Sequence, residues 1–447
     1  MVEPTARGFS RREFMGATAA GLGGMAVLVA CGPQAPSPSG GQGASGEFTG
    51  GGSLKILTRS HFIPAYDAWL DKWAADWGAR NKVDVTVDHI LAGDLPAKWA
   101  AEVASNAGHD LYVFTQSGAV NVYNKQLIDM SDIANEVGSK YSWVDPYASN
   151  VGKFGGAWKG VPEFFIDFPS LYRKDLFEAN NLKPPESWED LMRSGSILKA
   201  KGNPVGLAIN QNSNDANNSW HALLWSYGVS YSKEDGKLND INNSATREVV
   251  KFAVDLYKNT MTDEVLSWDD TGNNLALLTG RLCWTLNPIS ALRTIEKEKP
   301  DLAKNLAIGL PLSGPKGRFA LVSPSVWGVM NWSESAPAAK AMIREYFSVF
   351  PEAVRASEGY NQPLLKEFRK KPMPILGEDQ RLTVLQDFDQ LARASGHPGP
   401  PTPASAEVEA NWIVGLMIGR AVQSSVDEAV GWAADRIAQI YKKNNLI

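Results

Sequence analysis

Apolar and polar positions change their period repeatedly along this chain of 447 residues. Leu54-Lys55-Ile56-Leu57 is a short apolar run and predicts a buried strand. A helix opened by Pro64 and running to about residue 80 follows, with Tyr66, Trp69, Trp73 and Trp77 on one face. That stripe reads as core-facing rather than as a ligand box. Residues 83–87 alternate as a strand, 98–107 predict a helix, and 111–114 predict a second buried strand before a polar loop at 115–118. Further on, 206–209 predict a strand running into 210–219, a stretch crowded with Asn, Gln, Ser and Asp that reads as a loop. Residues 245–259 are amphipathic, 282–286 predict a strand ending at Asn287-Pro288, and 325–330 predict another strand. Helices are expected at 337–350, 378–394, 405–421 and 426–441. No period of 20–50 residues repeats, which excludes a solenoid.

Strands alternating with helices predict βα units around a mainly parallel sheet, an α/β fold. Ligands in such sheets lie beyond the carboxyl ends of the strands. That rule nominates Arg59, Ser60 and His61 after the first strand, and Gln116 and Ser117 after the strand ending at Phe114. The Asn-rich stretch adds Asn212, Asn214 and Trp220, and the strand at 282–286 adds Trp284 and Asn287. Each has a purely structural alternative: a core Trp, a capping Asn, a solvated side chain.

The first thirty residues change the picture of where the chain works. Arg7, Arg11 and Arg12 form a basic start, and residues 17–30 are an uncharged Ala/Gly/Val/Leu-rich run too short to span a bilayer. Ser10-Arg11-Arg12-Glu13-Phe14-Met15 resembles a twin-arginine export signal, and Leu28-Val29-Ala30-Cys31 resembles a lipobox. Residues 1–31 are therefore expected to be a lipoprotein signal ending at Cys31. The chain would be exported and held to the cell membrane by lipid on Cys31, facing periplasm or cell exterior. Residues 32–53, mostly Gly, Pro, Ser and Gln, predict a flexible tether of about 25 Å root-mean-square span. The GxGxxG at 41–46 has neither the strand before it nor the helix after it that dinucleotide binding requires.

Composition and charge remove several function classes. Residues 1–30 hold three basic and two acidic groups of the chain's 44 Lys+Arg and 49 Asp+Glu, leaving 41 against 47 and no basic cluster. Nucleic acid is not an expected partner. Cys283 is the only cysteine besides Cys31, so neither a disulfide framework nor a thiolate metal site is possible, and no cofactor is expected. His61, His89, His109, His221 and His397 are scattered, and no HExxH, GxSxG or GxxxxGK[ST] occurs. Asp269-Asp270 is an acidic pair, but adjacent residues point apart, and an exposed, solvated pair is the expected reading.

A family resemblance adds to this reading. Lys159-Gly160-Val161-Pro162, Pro169-Ser170-Leu171-Tyr172-Arg173-Lys174-Asp175-Leu176-Phe177 and Pro184-Pro185-Glu186-Ser187-Trp188-Glu189-Asp190-Leu191 resemble the most recognisable stretch of the family 1 extracellular solute-binding proteins. These are the maltose-binding-type components of sugar ABC importers. Segments at 278–287, 307–315, 328–347 and 425–437 are similar to later family motifs in the family's order. The resemblance implies the periplasmic-binding-protein type II fold, two α/β lobes with a hinge and a ligand cleft between them. The lobes are expected at 54–160 plus 323–360 and at 161–322 plus 361–447. It implies a monomer without enzymatic activity that captures a small solute, most readily a mono- or oligosaccharide, and hands it to ABC permease subunits. Glu163, Phe165 and Asp167 fall in the family's variable cleft stretch, and Trp327 and Trp412 near positions where members often keep an aromatic ring. Two departures from the family pattern, the apolar run around Phe164, Phe165 and Phe168 and the missing aromatic after Asn287, leave a glycoside, a polyamine or an organic acid open. The alternative from a different class is a secreted lipoprotein enzyme acting on polysaccharide.

Overall fold

The computed structural model describes residues 48–447 apart from 210–212, 372, 374–375 and 377–378. The signal segment, Cys31, the tether up to residue 47 and Asn212 lie outside the described residues.

Two sheets organise the chain. The first contains β1 (Ser53–Arg59), β2 (Asp84–Ile90), β3 (Leu111–Phe114), β4 (Val161–Ile166), β9 (Ser323–Val329) and β10 (Asn361–Pro363), in the order β10-β4-β9-β3-β1-β2. The second contains β5 (Ser170–Arg173), β6 (Val205–Gly206), β7 (Trp284–Leu286) and β8 (Leu306–Gly309), in the order β8-β5-β7-β6. Within these two sheets, β1 with β2, β1 with β3, and β6 with β7 pair in parallel. The other pairs in the two sheets are antiparallel. The expectation of a mainly parallel sheet therefore holds for the βα units at the start of the chain and not for the later strands.

Strand alternation divides the first sheet's side chains between two cores. Leu54, Ile56, Leu111, Val113, Trp327 and Val329 face an outer core beneath the helices Pro64–Asn81, Ser131–Tyr141 and Ala336–Ser348. Leu57, Tyr112, Phe114, Val326 and Met330 face an inner core that continues into the second lobe through Ile166, Phe168 and Leu171.

The sheets also place the chain crossings. β4 and β10 belong to the first sheet, so the expected boundary at residue 160 moves to Asp167-Phe168-Pro169, and the expected boundary at 360 moves beyond β10. Packing explains the shift: Phe164 stacks on Phe350 of the first lobe with ring centroids 4.9 Å apart. Three helical expectations change as well. The polar stretch at 210–219 is helical from Asn214, because the Ser213 side chain caps the helix Asn214–Ser226. Residues 405–421 split into Pro403–Ala410 and Ile413–Gln423 at Trp412, whose φ of 57° ends the first helix. Within 378–394 the described helix is a 3-10 run, Gln380–Gln390.

Candidate functional site

The carboxyl ends of the three first strands converge. Arg59 ends β1, Ala92 follows β2 and Thr115 follows β3, and all three line one cavity. Its opposite wall comes from the second lobe: Asn214 and Asp215 at the start of the helix Asn214–Ser226, Asp270, and Asn287 with Ser290 beyond β7. Ile166 at the end of β4, Phe168 in the crossing, Ser323 at the start of β9 and Tyr360 before β10 complete the lining. The cavity is about 30 Å³, room for about two water molecules.

The second-lobe wall is a hydrogen-bonded network. Asp270 accepts from Ser213 Oγ (2.9 Å), Asn214 Nδ2 (2.9 Å) and the Asp215 amide (3.2 Å). Asn273 Nδ2 donates to Asp215 Oδ2 (2.7 Å) and to Asn287 Oδ1 (2.9 Å), and Asn287 Nδ2 donates to Asn274 Oδ1 (2.6 Å). Burial pushes the Asp215 carboxyl well above the carboxylate range, and the neighbouring Asp270 charge pushes it further. Burial raises Asp270 too, against the pull of its donors. Among the described residues neither carboxylate makes an ion pair.

The first-lobe wall is built by packing. His61 lies buried behind Arg59, with Nε2 3.1 Å from Asn361 Oδ1 and its ring 4.5 Å from that of Tyr66 and 4.9 Å from that of Tyr360. Desolvation, then the Arg59 charge, hold its pKa down at about 3, so it is neutral. Arg59 sits 5.5 Å over the Tyr360 ring. Glu163 is fully buried behind this wall, its carboxyl raised by desolvation while Ser325 donates to it.

Of the residues nominated from sequence, the cavity brings together Arg59, Asn214 and Asn287, with His61 directly behind. Ser60 donates its amide to the Ile90 carbonyl, and the Gln116 carbonyl accepts from the Ala119 amide as the chain turns into the next helix; neither residue lines the cavity. Ser117 lies apart, donating to Glu409 Oε2 at 2.9 Å and contacting Ser395. Phe165 packs against Tyr147 and under Arg369 in the core. Asp167 is 0 % exposed with neither carboxylate oxygen hydrogen-bonded, and burial raises its pKa to about 8 against the opposing Arg369 charge.

The tryptophans are corrected to structural positions. Trp220 donates Nε1 to the Ala208 carbonyl (2.9 Å) inside the second lobe. Trp284 opens β7 rather than ending it and meets Trp188 edge-on at 6.5 Å. Trp327 takes the outer face of its strand and meets Tyr346 at 5.2 Å. Trp412 is buried at the break between two helices. Asp270 is the reverse case. The expected solvated pair divides: Asp269 turns outward to Thr271, while Asp270 turns into the cavity wall. Asp215, Asp270, Phe62, Phe168 and Tyr360 are among the lining residues that sequence reasoning did not nominate. The only signal was the density of polar residues at 210–219.

Among the described residues no group of three or more His, Cys, Asp or Glu could hold a metal ion. Cys283 is buried and its thiol is raised to about 12, which makes it inert.

Comparison with known proteins matches this architecture. The sequence profile described as bacterial extracellular solute-binding protein matches residues 63–348. Among solved structures, a sugar transporter from Arthrobacter chlorophenolicus A6 with bound laminaribiose is similar at a TM-score of 0.76 and 16% identity, over 87% of this chain and 99% of that one. Maltose-bound MalE3 of T. maritima is similar at 0.75 and 17%, over 87% of this chain and 100% of that one. An ABC transporter solute-binding protein from Agrobacterium radiobacter K84 in complex with ribitol is similar at 0.75 and 17%, over 88% and 99%. At such identities the likeness establishes the fold, that of the type II periplasmic binding proteins.

Proposed function

This chain belongs to the family of bacterial extracellular solute-binding proteins, and from that premise we propose that it captures a small carbohydrate or polyol between its lobes and delivers it to an ABC permease. One observation carries the reading. Residues from both lobes meet in a single cleft at the carboxyl ends of β1, β2 and β3, and its polar groups are amides, carboxyls and a guanidinium. These groups pair sugar hydroxyls, and each left unpaired by a wrong ligand costs affinity. The similar structures named above hold laminaribiose, maltose and ribitol.

The cleft's small volume fits a closed arrangement, because pockets for such ligands run to about 300 Å³ or more. Entry then requires the lobes to part about the crossings at 167–169 and beside β9 and β10, a hinge motion. Turnover is not part of this reading. Asp215 and Asp270 stand on the same wall, whereas glycoside hydrolysis places its two carboxyl groups on either side of the bond. Among the described residues no helix is long and apolar enough to cross a membrane. We assign membrane attachment to lipid on Cys31, with the protein working as a monomer; the expected tether at 32–53 is shortened to the residues before Phe48, because Phe48 stacks on Trp77 at 5.7 Å and β1 begins at Ser53.

The test is a thermal-shift screen of sugars and polyols with small-angle scattering on any hit. At a hundredfold excess over Kd a ligand adds about 2.7 kcal/mol of stability, and scattering should show compaction. A screen without any shift, or a hit without compaction, would overturn the capture mechanism. Hydrolysis products from an oligosaccharide would move the protein to the enzyme class.

A further inference from the structure

Beside the cavity the two lobes meet in a second polar contact, and it is buried. Ser117 stands on the first lobe, two residues beyond the cavity-lining Thr115. Glu409 stands on the second-lobe helix Pro403–Ala410, which Asn217 Nδ2 ties to the helix Asn214–Ser226 through the Glu409 carbonyl at 3.0 Å. Ser117 Oγ lies 2.9 Å from Glu409 Oε2 and 3.0 Å from Ser395 Oγ, and it accepts from the Ser395 amide at 2.9 Å. Ser117, Ser395 and Glu409 are 1 %, 0 % and 5 % exposed. The backbones also meet closely. Asn121 Nδ2 donates to the Pro401 carbonyl at 3.3 Å, and a Cβ on Gly118 would lie 2.1 Å from that of Ala406.

The surroundings of Glu409 decide its charge. The side chains that meet its carboxyl are hydroxyls, not cations. Tyr147 of the first lobe and Tyr231 of the second feel its charge, and burial raises both phenols, so they stay neutral. His221 contacts Tyr231 and is held at about 4 by burial. His397 and Arg393 flank Ser395 along the chain and turn to Phe319; burial, then Arg393, hold His397 at about 4. Charges on the neighbouring helices turn elsewhere, Glu407 to Lys443, Arg420 to Trp432 and Asp427 to Arg247. An ionised carboxyl shut in with hydroxyls alone is unfavourable, whereas the protonated acid is not. Burial accordingly raises Glu409 to about 7 from the ordinary 4.5. Parting the lobes takes Ser117 away and admits water, which returns the carboxyl toward its ordinary value. Closure is therefore favoured fully below about pH 4.5, and that contribution is lost as pH rises through about 7.

We propose that Ser117, Ser395 and Glu409 form a latch between the lobes, which closes with a proton on Glu409 and loosens when that proton leaves. This rests on the hinge reading above and adds a control to it. The test is small-angle scattering of the full chain without ligand at pH 5 and pH 8, beside Glu409→Gln, which keeps a partner for the hydroxyls and cannot ionise. Asp215 and Asp270 are also buried by closure, so the readout is the difference between the two proteins. At pH 5 their radii of gyration should agree. At pH 8 the wild type should be the more open, with a closed-to-open ratio about tenfold or more below that of the variant. Gly118→Ala supplies a second measurement should the glutamine variant not fold. Its backbone φ of −101° suits alanine, so the added Cβ acts only on Ala406 and should hold the lobes apart at both pH values. The wild type should approach its radius at pH 8 and not at pH 5.

A wild type and Glu409→Gln of equal radius at pH 8, a wild type of equal radius at both pH values, or a Gly118→Ala chain as compact as the wild type at pH 5 would overturn the latch. Each of these leaves the ligand-driven hinge standing, because that is read separately, as compaction on adding a sugar or polyol at fixed pH.

Discussion

The two walls of the cleft are held in place by different physics. The first-lobe wall sits on a sheet sealed on both faces, and its polar groups are locked by rings: His61 between Tyr66 and Tyr360, Arg59 over Tyr360. The second-lobe wall sits beyond a short four-stranded sheet and is locked by hydrogen bonds. Asp270 gathers three donors at one helix start, and Asn273 ties Asp215 to Asn287. A wall made by packing fails when volume is removed. A wall made by hydrogen bonds fails when a single polar atom is removed. Substitutions on either side can separate the two cases.

The largest effect is expected where the sequence suggested ligand contact and the structure places core. Trp327 and Trp284 are 1 % and 0 % exposed. Cutting either to Ala should cost about 3–5 kcal/mol in denaturant unfolding, with calorimetric affinity for any identified ligand unchanged. A mild loss of stability together with lost affinity would return that Trp to the cleft and break the division between walls and cores.

Next in size is the pH response of Asp167 at the first crossing. Its folded pKa, raised to about 8, lies above the ordinary 3.8. The native state therefore holds a proton that the unfolded chain gives up between those values. The stability this provides is complete below about pH 4 and is lost as pH rises through about 8. Asp167→Asn keeps the shape and removes the titration. Relative to it, the wild type should lose a few kcal/mol between pH 4 and pH 8, read from paired denaturation curves. Parallel curves across that range would show Asp167 ionised throughout and the crossing wetter than the packing indicates.

The same contrast explains what was legible in the sequence. The short apolar runs at 54–57 and 111–114 and the stripe of Tyr66, Trp73 and Trp77 marked the first sheet and its covering helix, because burial writes itself into the pattern of apolar positions. Arg59 and Asn287 were reachable by a rule about strand ends. Asp270 was not, since a carboxyl beside a second carboxyl looks solvated until the fold brings Ser213 to it from 57 residues away. The tryptophans misled for the opposite reason. Large rings near predicted strand ends suit a stacking platform, but which face a residue takes depends on register, and β9 shifts register between Ser325 and Val326. The lobe boundaries were misplaced because strand partners, not local composition, decide which sheet β4 joins.

The smallest expected effect is the sharpest comparison of the walls. Ser213 and Ser60 both stand at the edge of the cleft, one on each lobe. Ser213 Oγ accepts from the Ala216 amide at 3.2 Å as a helix cap and donates to Asp270 at 2.9 Å. Ser60 is held by its backbone amide on the Ile90 carbonyl, a bond that any side chain preserves. Ser213→Ala should therefore cost about 1 kcal/mol, the usual price of a lost cap, while Ser60→Ala should stay within about 0.5 kcal/mol. Ligand affinity should follow the same order, because Asp270 loses one of its three donors in the first variant and the Arg59 wall loses none in the second. Both quantities come from melting and calorimetry on the two variants side by side. Equal losses would mean that the second-lobe wall is held by packing as well, and that its hydrogen-bond network follows the fold of the cleft instead of fixing it.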